Sequence, residues 1–346
     1  MKKLFGMTAM LLALGLSSSA NAGLTQLGNL FVFGDSLSDG GNSGLVSQAA
    51  TGGSFTYPPA PYDNGRYSNG PVAVEQLWQL FNPGDTSFKP SLAGGTNYAI
   101  GGATSGMANY NSSSAPPPLN GAYANLGTAW QLGTFVSQAP AFNPANSLFV
   151  VWLFPNDVFN YSLTGQLPGN LRTNTPAGGP LVNGNQLAIN GIDNIITTVT
   201  TLAAYGGRHF LVPTMPNLSL TPGYAGDSAL NDLSNGFNFT LAAALNALQA
   251  AMPSLDIITF DTNAVFRDVI DHKASYGLTE TGTACLSDQN CNPNTWLFWD
   301  SVHPTAKGQQ ILADKFFGAV LPEPSSIALL AVTLFGFAAA RQRRRL

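Results

Sequence analysis

The chain has 346 residues, a mean hydropathy of +0.09, 45% hydrophobic residues and only 9% charged ones, where a globular protein usually carries roughly 25%. That composition excludes a highly charged disordered tail. Six of the 14 Lys and Arg residues (Lys2, Lys3, Arg341, Arg343, Arg344 and Arg345) lie in 1–22 and 322–346, against one of the 18 acidic residues. The body between them therefore carries about −9, which argues against nucleic acid or anionic lipid as its main partner.

In chain order, Lys2 and Lys3 precede an apolar stretch from Leu4 to Leu16 and small residues ending in Ala20-Asn21-Ala22. This three-part order reads as a secretory signal over 1–22, with the mature protein starting near Gly23. Five apolar or β-branched runs follow, at Leu30–Phe33, Asn97–Ile100, Ser147–Phe154, His209–Thr214 and Asp256–Phe260. Helical spacing fills Val72–Phe81, Ile189–Ala204, Leu230–Ala251, Ala264–Ile270 and Ala306–Val320. The alternation predicts one α/β domain over 23–321 with a parallel sheet covered on both faces. Gly, Ser, Asn and Pro fill the loops 38–70 and 103–125, where a rigid scaffold normally carries its binding surface.

Four short blocks converge on one rim of that sheet. The first strand runs into Gly34-Asp35-Ser36-Leu37-Ser38-Asp39-Gly40-Gly41-Asn42. A Ser directly after a buried strand sits where open parallel sheets bind ligands, so Ser36 is a candidate nucleophile. The second strand leads to Gly101-Gly102-Ala103 and the third to Pro155-Asn156-Asp157. The fourth block, Trp299-Asp300-Ser301-Val302-His303-Pro304, puts a carboxylate three residues before an extended His. In that arrangement one imidazole nitrogen meets Asp300 and the other faces Ser36, as general-base activation of a hydroxyl requires.

Other residues read more plainly. Gly226-Asp227-Ser228 repeats part of the first block but precedes a helical run, where Asp227 or Ser228 serves as a helix cap. His209 beside the fourth strand is expected to be structural, and His272 lies at a helix end. Asp35 and Asp157 are expected to hold loop backbone in place rather than to act as a catalytic pair. Trp152, Phe154 and Phe159 are core aromatics of which one or two could line a pocket. Export favours a small-loop disulfide between Cys285 and Cys291, since two cysteines without a nearby His make a poor zinc site. No G-x-S-x-G, G-x-x-x-x-G-K-[ST], G-x-G-x-x-G or H-E-x-x-H pattern occurs, so neither a metal nor a cofactor is expected.

The chain ends with Pro322-Glu323-Pro324, an apolar run Ser325–Ala340 and the arginine cluster. The run is marginal for a bilayer span, which needs about 17–25 residues, and its basic flank suits a cytoplasmic stop. Contact with a membrane is expected only through this tail.

These residues carry two resemblances. Gly34–Leu37 with Asp39–Asn42, Asn97–Ala103, Asn156-Asp157 and Asp300–Pro304 resemble the blocks of the SGNH hydrolases, the GDSL lipase/esterase family. Arg66–Pro71 and Phe210–Pro216 are similar to secondary landmarks of that family, and the likeness spans about 29–320. It implies a three-layer α/β/α sandwich with a five-stranded parallel sheet, similar to flavodoxin. It also implies a serine esterase with Ser36 as nucleophile, His303 as base and Asp300 orienting it. The oxyanion hole would be the Ser36 N–H, the Gly102 N–H (with Gly101 the alternative) and the Asn156 side chain. Pro155 departs from the Gly usual before that Asn and puts the local backbone in question. The C-terminal stretch 322–346 resembles a PEP-CTERM sorting tail, which implies export from a Gram-negative bacterium and trimming by an exosortase near the tripeptide; a lasting membrane anchor is the other reading. The implied substrate is an ester, whether lipid, short acyl ester or acylated glycan. A catalytically silent surface or matrix protein on the same scaffold is the alternative.

Overall fold

Strand β1, Asn29–Gly34, has the sequence NLFVFG and is buried from Leu30 onward. A continuous apolar run rather than an alternating one is what a strand covered on both faces needs. The computed structural model describes residues 23–178 and 185–322. In chain order it contains β1, α1 (Asn42–Ala50), α2 (Ala73–Phe81), α3 (Thr128–Gln138), β2 (Ser147–Trp152), α4 (Pro155–Thr164), α5 (Gln186–Ala204) and β3 (His209–Pro213). Then come α6 (Ser228–Ala251), β4 (Asp256–Phe260), α7 (Thr262–Asp271), β5 (Glu280–Ala284), β6 (Trp296–Phe298) and α8 (Ala306–Val320), with short helical turns between. The signal reading of 1–22 and the apolar run Ser325–Ala340 lie outside the described residues. Among the described residues no helix is long and apolar enough to cross a membrane.

The main sheet is parallel in the order β1-β2-β3-β4, with Phe31 opposite Phe149 and Phe149 opposite Phe210. Five strands were expected, and four regular ones form. The expected strand Asn97–Ile100 does run along the free edge of β1: Tyr98 N–H donates to Val32 O at 2.8 Å and Ile100 N–H to Gly34 O at 3.3 Å. It forms only isolated bridges, both at Asn97: to Val32 on its inner side and to Pro90 on its outer side. Beyond the Pro90 bridge the outer side pairs no further, because side chains take its next groups: Asn97 Oδ1 accepts the Ala99 N–H and the Asn42 amide donates to Ala99 O. With this segment counted, the chain order across the sheet reverses at β1, as in flavodoxin, and the switch point lies at the carboxyl ends of β1 and β2.

On one face α3, α5 and α6 pack over Phe31, Phe33, Phe149, Val151, Phe210 and Val212. Phe31 stacks on Phe149 at 4.8 Å and Phe154 on Phe237 at 3.6 Å between ring centroids. On the other face Phe316 of α8 meets Trp152 and Phe260, and Gln309 of α8 accepts the Ala73 N–H of α2. Three layers result. A smaller parallel pair, β5 and β6, joins the polar, half-exposed ETGTA to Trp296–Phe298. Cys285 and Cys291 are joined in the connection between them. Asp227 caps α6 through the Leu230 N–H at 3.0 Å. The main unit is Gln26–Gly318; within the second, described from Gly23 to Thr25 and from Ala319 to Pro322, Leu24 N–H donates to Val320 O at 2.9 Å.

The end of β1 is fixed from α3. The buried Gln131 amide donates to Gly34 O at 2.7 Å and accepts the Gly34 N–H at 2.9 Å. Gln131→Ala strands a buried peptide N–H and should lower the unfolding free energy by about 2 kcal/mol. Denaturant titration at unchanged slope measures it; a loss under about 0.5 kcal/mol would show that the Gly34 peptide finds other partners.

Candidate active site

The turn after β1 closes with Ser38 N–H on Asp35 O at 3.1 Å and Leu37 N–H on Asp35 Oδ1 at 3.0 Å, leaving Ser36 at its apex. Asp39 anchors that turn. Its carboxylate accepts the N–H groups of Gly41 (2.8 Å), Asn42 (2.6 Å), Ser43 (3.0 Å) and Gly101 (2.8 Å) and the Ser43 hydroxyl at 2.5 Å. Asn42 reaches the other way, donating to Asn97 O and Ala99 O.

The fourth block forms a tight loop after β6. Trp299 N–H donates to His303 O at 2.7 Å and Thr305 N–H to Leu297 O at 2.9 Å, so the chain doubles back across Asp300–His303. Asp300 Oδ1 accepts the N–H groups of Val302 and His303, which aims Oδ2 at His303 Nδ1, 2.7 Å away. His303 Nε2 stands 2.8 Å from Ser36 Oγ. Three of the expected site residues are thus in one line.

Charge follows from this geometry. Burial presses the His303 imidazole down, but the Asp300 charge and hydrogen bond, helped by Asp35, outweigh it and its pKa ends above the usual 6.5. Burial acts against the Asp300 anion too, yet pairing with His303 and the hydrogen bonds from Val302 and Tyr62 hold it well below the usual carboxylate range. Asp35 is pushed up to about 6 and Asp157 to about 7, both chiefly by burial.

The glycine pair resolves by its hydrogen bonds. Gly101 N–H is taken by Asp39 and the Ser43 hydroxyl. Gly102 instead has φ +78 and lines the cavity, and among the described residues its N–H meets no acceptor. A Cβ on Gly102 would lie 2.5 Å from Asn109 Oδ1, so only glycine fits there. Pro155 occupies the first turn of α4, a position that suits proline, and Asn156 follows it into the cavity with its amide alongside Asp35. The positive end of the α4 dipole faces the same space. Asp157 accepts the N–H and hydroxyl of Ser105, the backbone-holding role expected of it.

Ser36, Gly102, Asn156, Asp300 and His303 all line one cavity of about 310 Å³, a size typical of small-molecule sites. Its walls are rings and prolines, Tyr57, Tyr67, Tyr110 and Phe159 among them, and no Lys or Arg lines it. A larger cleft beside α2 and α8 shares none of these groups.

Sequence reasoning missed Tyr62, whose hydroxyl donates to Asp300 Oδ2 at 2.7 Å, and the ring of Tyr67, 5.2 Å from that of His303. Tyr62 lies 238 residues from Asp300 in a loop without periodicity. Tyr67 did sit in a noted landmark, Arg66–Pro71, which proves to be a strap: Ser68 donates to Pro304 O and Asn69 accepts the Ala306 N–H.

Residues 30–316 match the family described as GDSL-like lipase/acylhydrolase. The chain belongs to that family. It is an ester-hydrolysing enzyme, and residues 320–345 match the PEP-CTERM protein-sorting motif, which marks export and sorting through the membrane in Gram-negative bacteria. A GDSL esterase/lipase of Arabidopsis thaliana is 26% identical over 83% of this chain and 81% of its own length. Acetylajmalan esterase 2 of Rauvolfia serpentina is 27% identical over 85% of this chain and 91% of its own. An acetylxylan esterase from Geobacillus stearothermophilus aligns in structure over 87% of this chain and 96% of its own, at 15% identity and a TM-score of 0.43.

In this GDSL-family site the elevation of His303 depends on Asp300. In Asp300→Asn burial is opposed only by the weaker pull of Asp35, so the imidazole should titrate lower than in the parent. Imidazole NMR signals followed from pH 5 to 9 give both midpoints; equal midpoints would overturn the assignment of cause.

Proposed function

We propose that the protein is an exported serine esterase that hydrolyses carboxylic esters through an acyl-enzyme on Ser36. The observation that carries this reading is the 2.8 Å approach of His303 Nε2 to Ser36 Oγ with Asp300 2.7 Å behind the ring. His303 takes the hydroxyl proton as Ser36 Oγ attacks the ester carbonyl. The tetrahedral oxyanion is met by the N–H groups of Ser36 and Gly102 and the Asn156 amide. As the intermediate collapses, His303 returns the proton to the leaving alcohol. Water then repeats the sequence on the acyl group, giving the acid and free Ser36. Asp300 keeps the ring in place, and Tyr62 holds Asp300.

The substrate we propose is not anionic, since no Lys or Arg lines the cavity. That the relative from Rauvolfia is by name an acetylajmalan esterase supports a small acyl group on a larger alcohol, an acylated glycan or lipid included. For the whole chain we propose a signal over 1–22, the hydrolase over 23–321 and a sorting tail over 322–346. Exosortase-type cleavage near Pro322-Glu323-Pro324 would release the enzyme to the cell surface or beyond.

A fluorophosphonate probe should label the parent protein and leave Ser36→Ala unlabelled, with circular dichroism unchanged; labelling of the variant would refute the nucleophile. Asn156→Ala should lower kcat by about 10²–10³-fold, the usual cost of one oxyanion donor. Because His303 accepts a proton only when neutral, kcat/KM should rise with pH through a midpoint above 6.5 and then level off. A profile flat from pH 5 to 8 would exclude His303 as the base.

A further inference from the structure

Three rings separate the reaction cavity from a second hollow. Tyr110, Phe159 and Tyr224 line the cavity around Ser36, and the same three line a neighbouring groove of about 260 Å³. Phe159 lies at their centre, with its ring 5.6 Å from Tyr224 in a stacked pair and 6.0 Å from Tyr110 in a tilted one. Behind them the groove is lined by Val158, Leu163 and Leu230; apart from the exposed Ser162 this lining is hydrocarbon.

The direction of the groove follows from α4. Asn156, Phe159 and Leu163 stand at i, i+3 and i+7 and so share one face of the helix. With 1.5 Å of rise per residue, the step from Asn156 to Leu163 is about 10 Å, roughly the reach of an extended eight-carbon chain. An acyl group whose carbonyl oxygen rests on Asn156 therefore points along this face, and its third or fourth carbon meets the Phe159 ring.

We propose that Tyr110, Phe159 and Tyr224 form a partition that limits the enzyme to short acyl groups, and that the groove behind them is a latent subsite for an aliphatic chain. This rests on the esterase reading given above. Phe159 is thereby the residue that sets chain length, with Leu163 flooring the space beyond it.

Rates on p-nitrophenyl acetate, butyrate and octanoate test it. In the parent protein kcat/KM for octanoate should lie at least about tenfold below that for butyrate, the scale on which a filled apolar pocket rejects extra methylenes. Phe159→Ala should raise the octanoate-to-acetate ratio at least about tenfold, and Tyr224→Ala should move it the same way if loss of the Phe159 ring impairs folding. Adding Leu163→Trp to Phe159→Ala should erase the gain. A parent profile without a fall at octanoate, an unchanged ratio in both opened variants, or a gain that survives Leu163→Trp would each overturn the partition while acetate turnover left the esterase reading standing. Folded protein inert toward all three esters would overturn both.

Discussion

The buried carboxylate of Asp39 is the constraint on which the rest of the site depends. An anion removed from water is tolerated only if its oxygens are occupied by donors. Asp39 meets that demand with backbone N–H groups from two separate stretches, Gly41–Ser43 and Gly101. Satisfying one charge therefore ties the Ser36 turn to the glycine pair that lies beside it. It also occupies the Gly101 N–H, which is then no longer available for another oxygen.

The same economy of means recurs around the cavity. Side chains from distant parts of the chain pin the segments around Ser36 and His303: Gln131 on Gly34, Ser68 on Pro304, Asn69 on Ala306, Tyr62 on Asp300. A parallel sheet brings the loops to one edge, and these polar pins set the final ångström. Positioning on that scale is what nucleophilic catalysis requires.

Much of this was legible in the chain itself. The buried strands declared themselves by unbroken apolar runs, and Ser36, Asn156 and His303 by following strand ends or preceding a proline. What stayed hidden depends on contacts far apart in sequence. Nothing local to Tyr62 indicates a carboxylate 238 positions away. The edge segment Asn97–Ile100 looks like a strand in composition, yet the Asn97 side chain diverts the hydrogen bonds that would complete it. The helix at Pro155–Thr164 was concealed because an apolar run continues through Phe154, where the backbone turns to φ +109 and the strand has already ended. Polar β5 offers no alternation and pairs only because the neighbouring fold supplies β6.

The absence of Lys and Arg from the cavity wall bears on the end of the reaction as well as its start. Hydrolysis turns a neutral ester into an acid that ionises at once near neutral pH. The new anion meets no Lys or Arg to hold it and shares its confined space with the negative charge of Asp300. The acid therefore leaves a site without a permanently charged basic side chain to trap it.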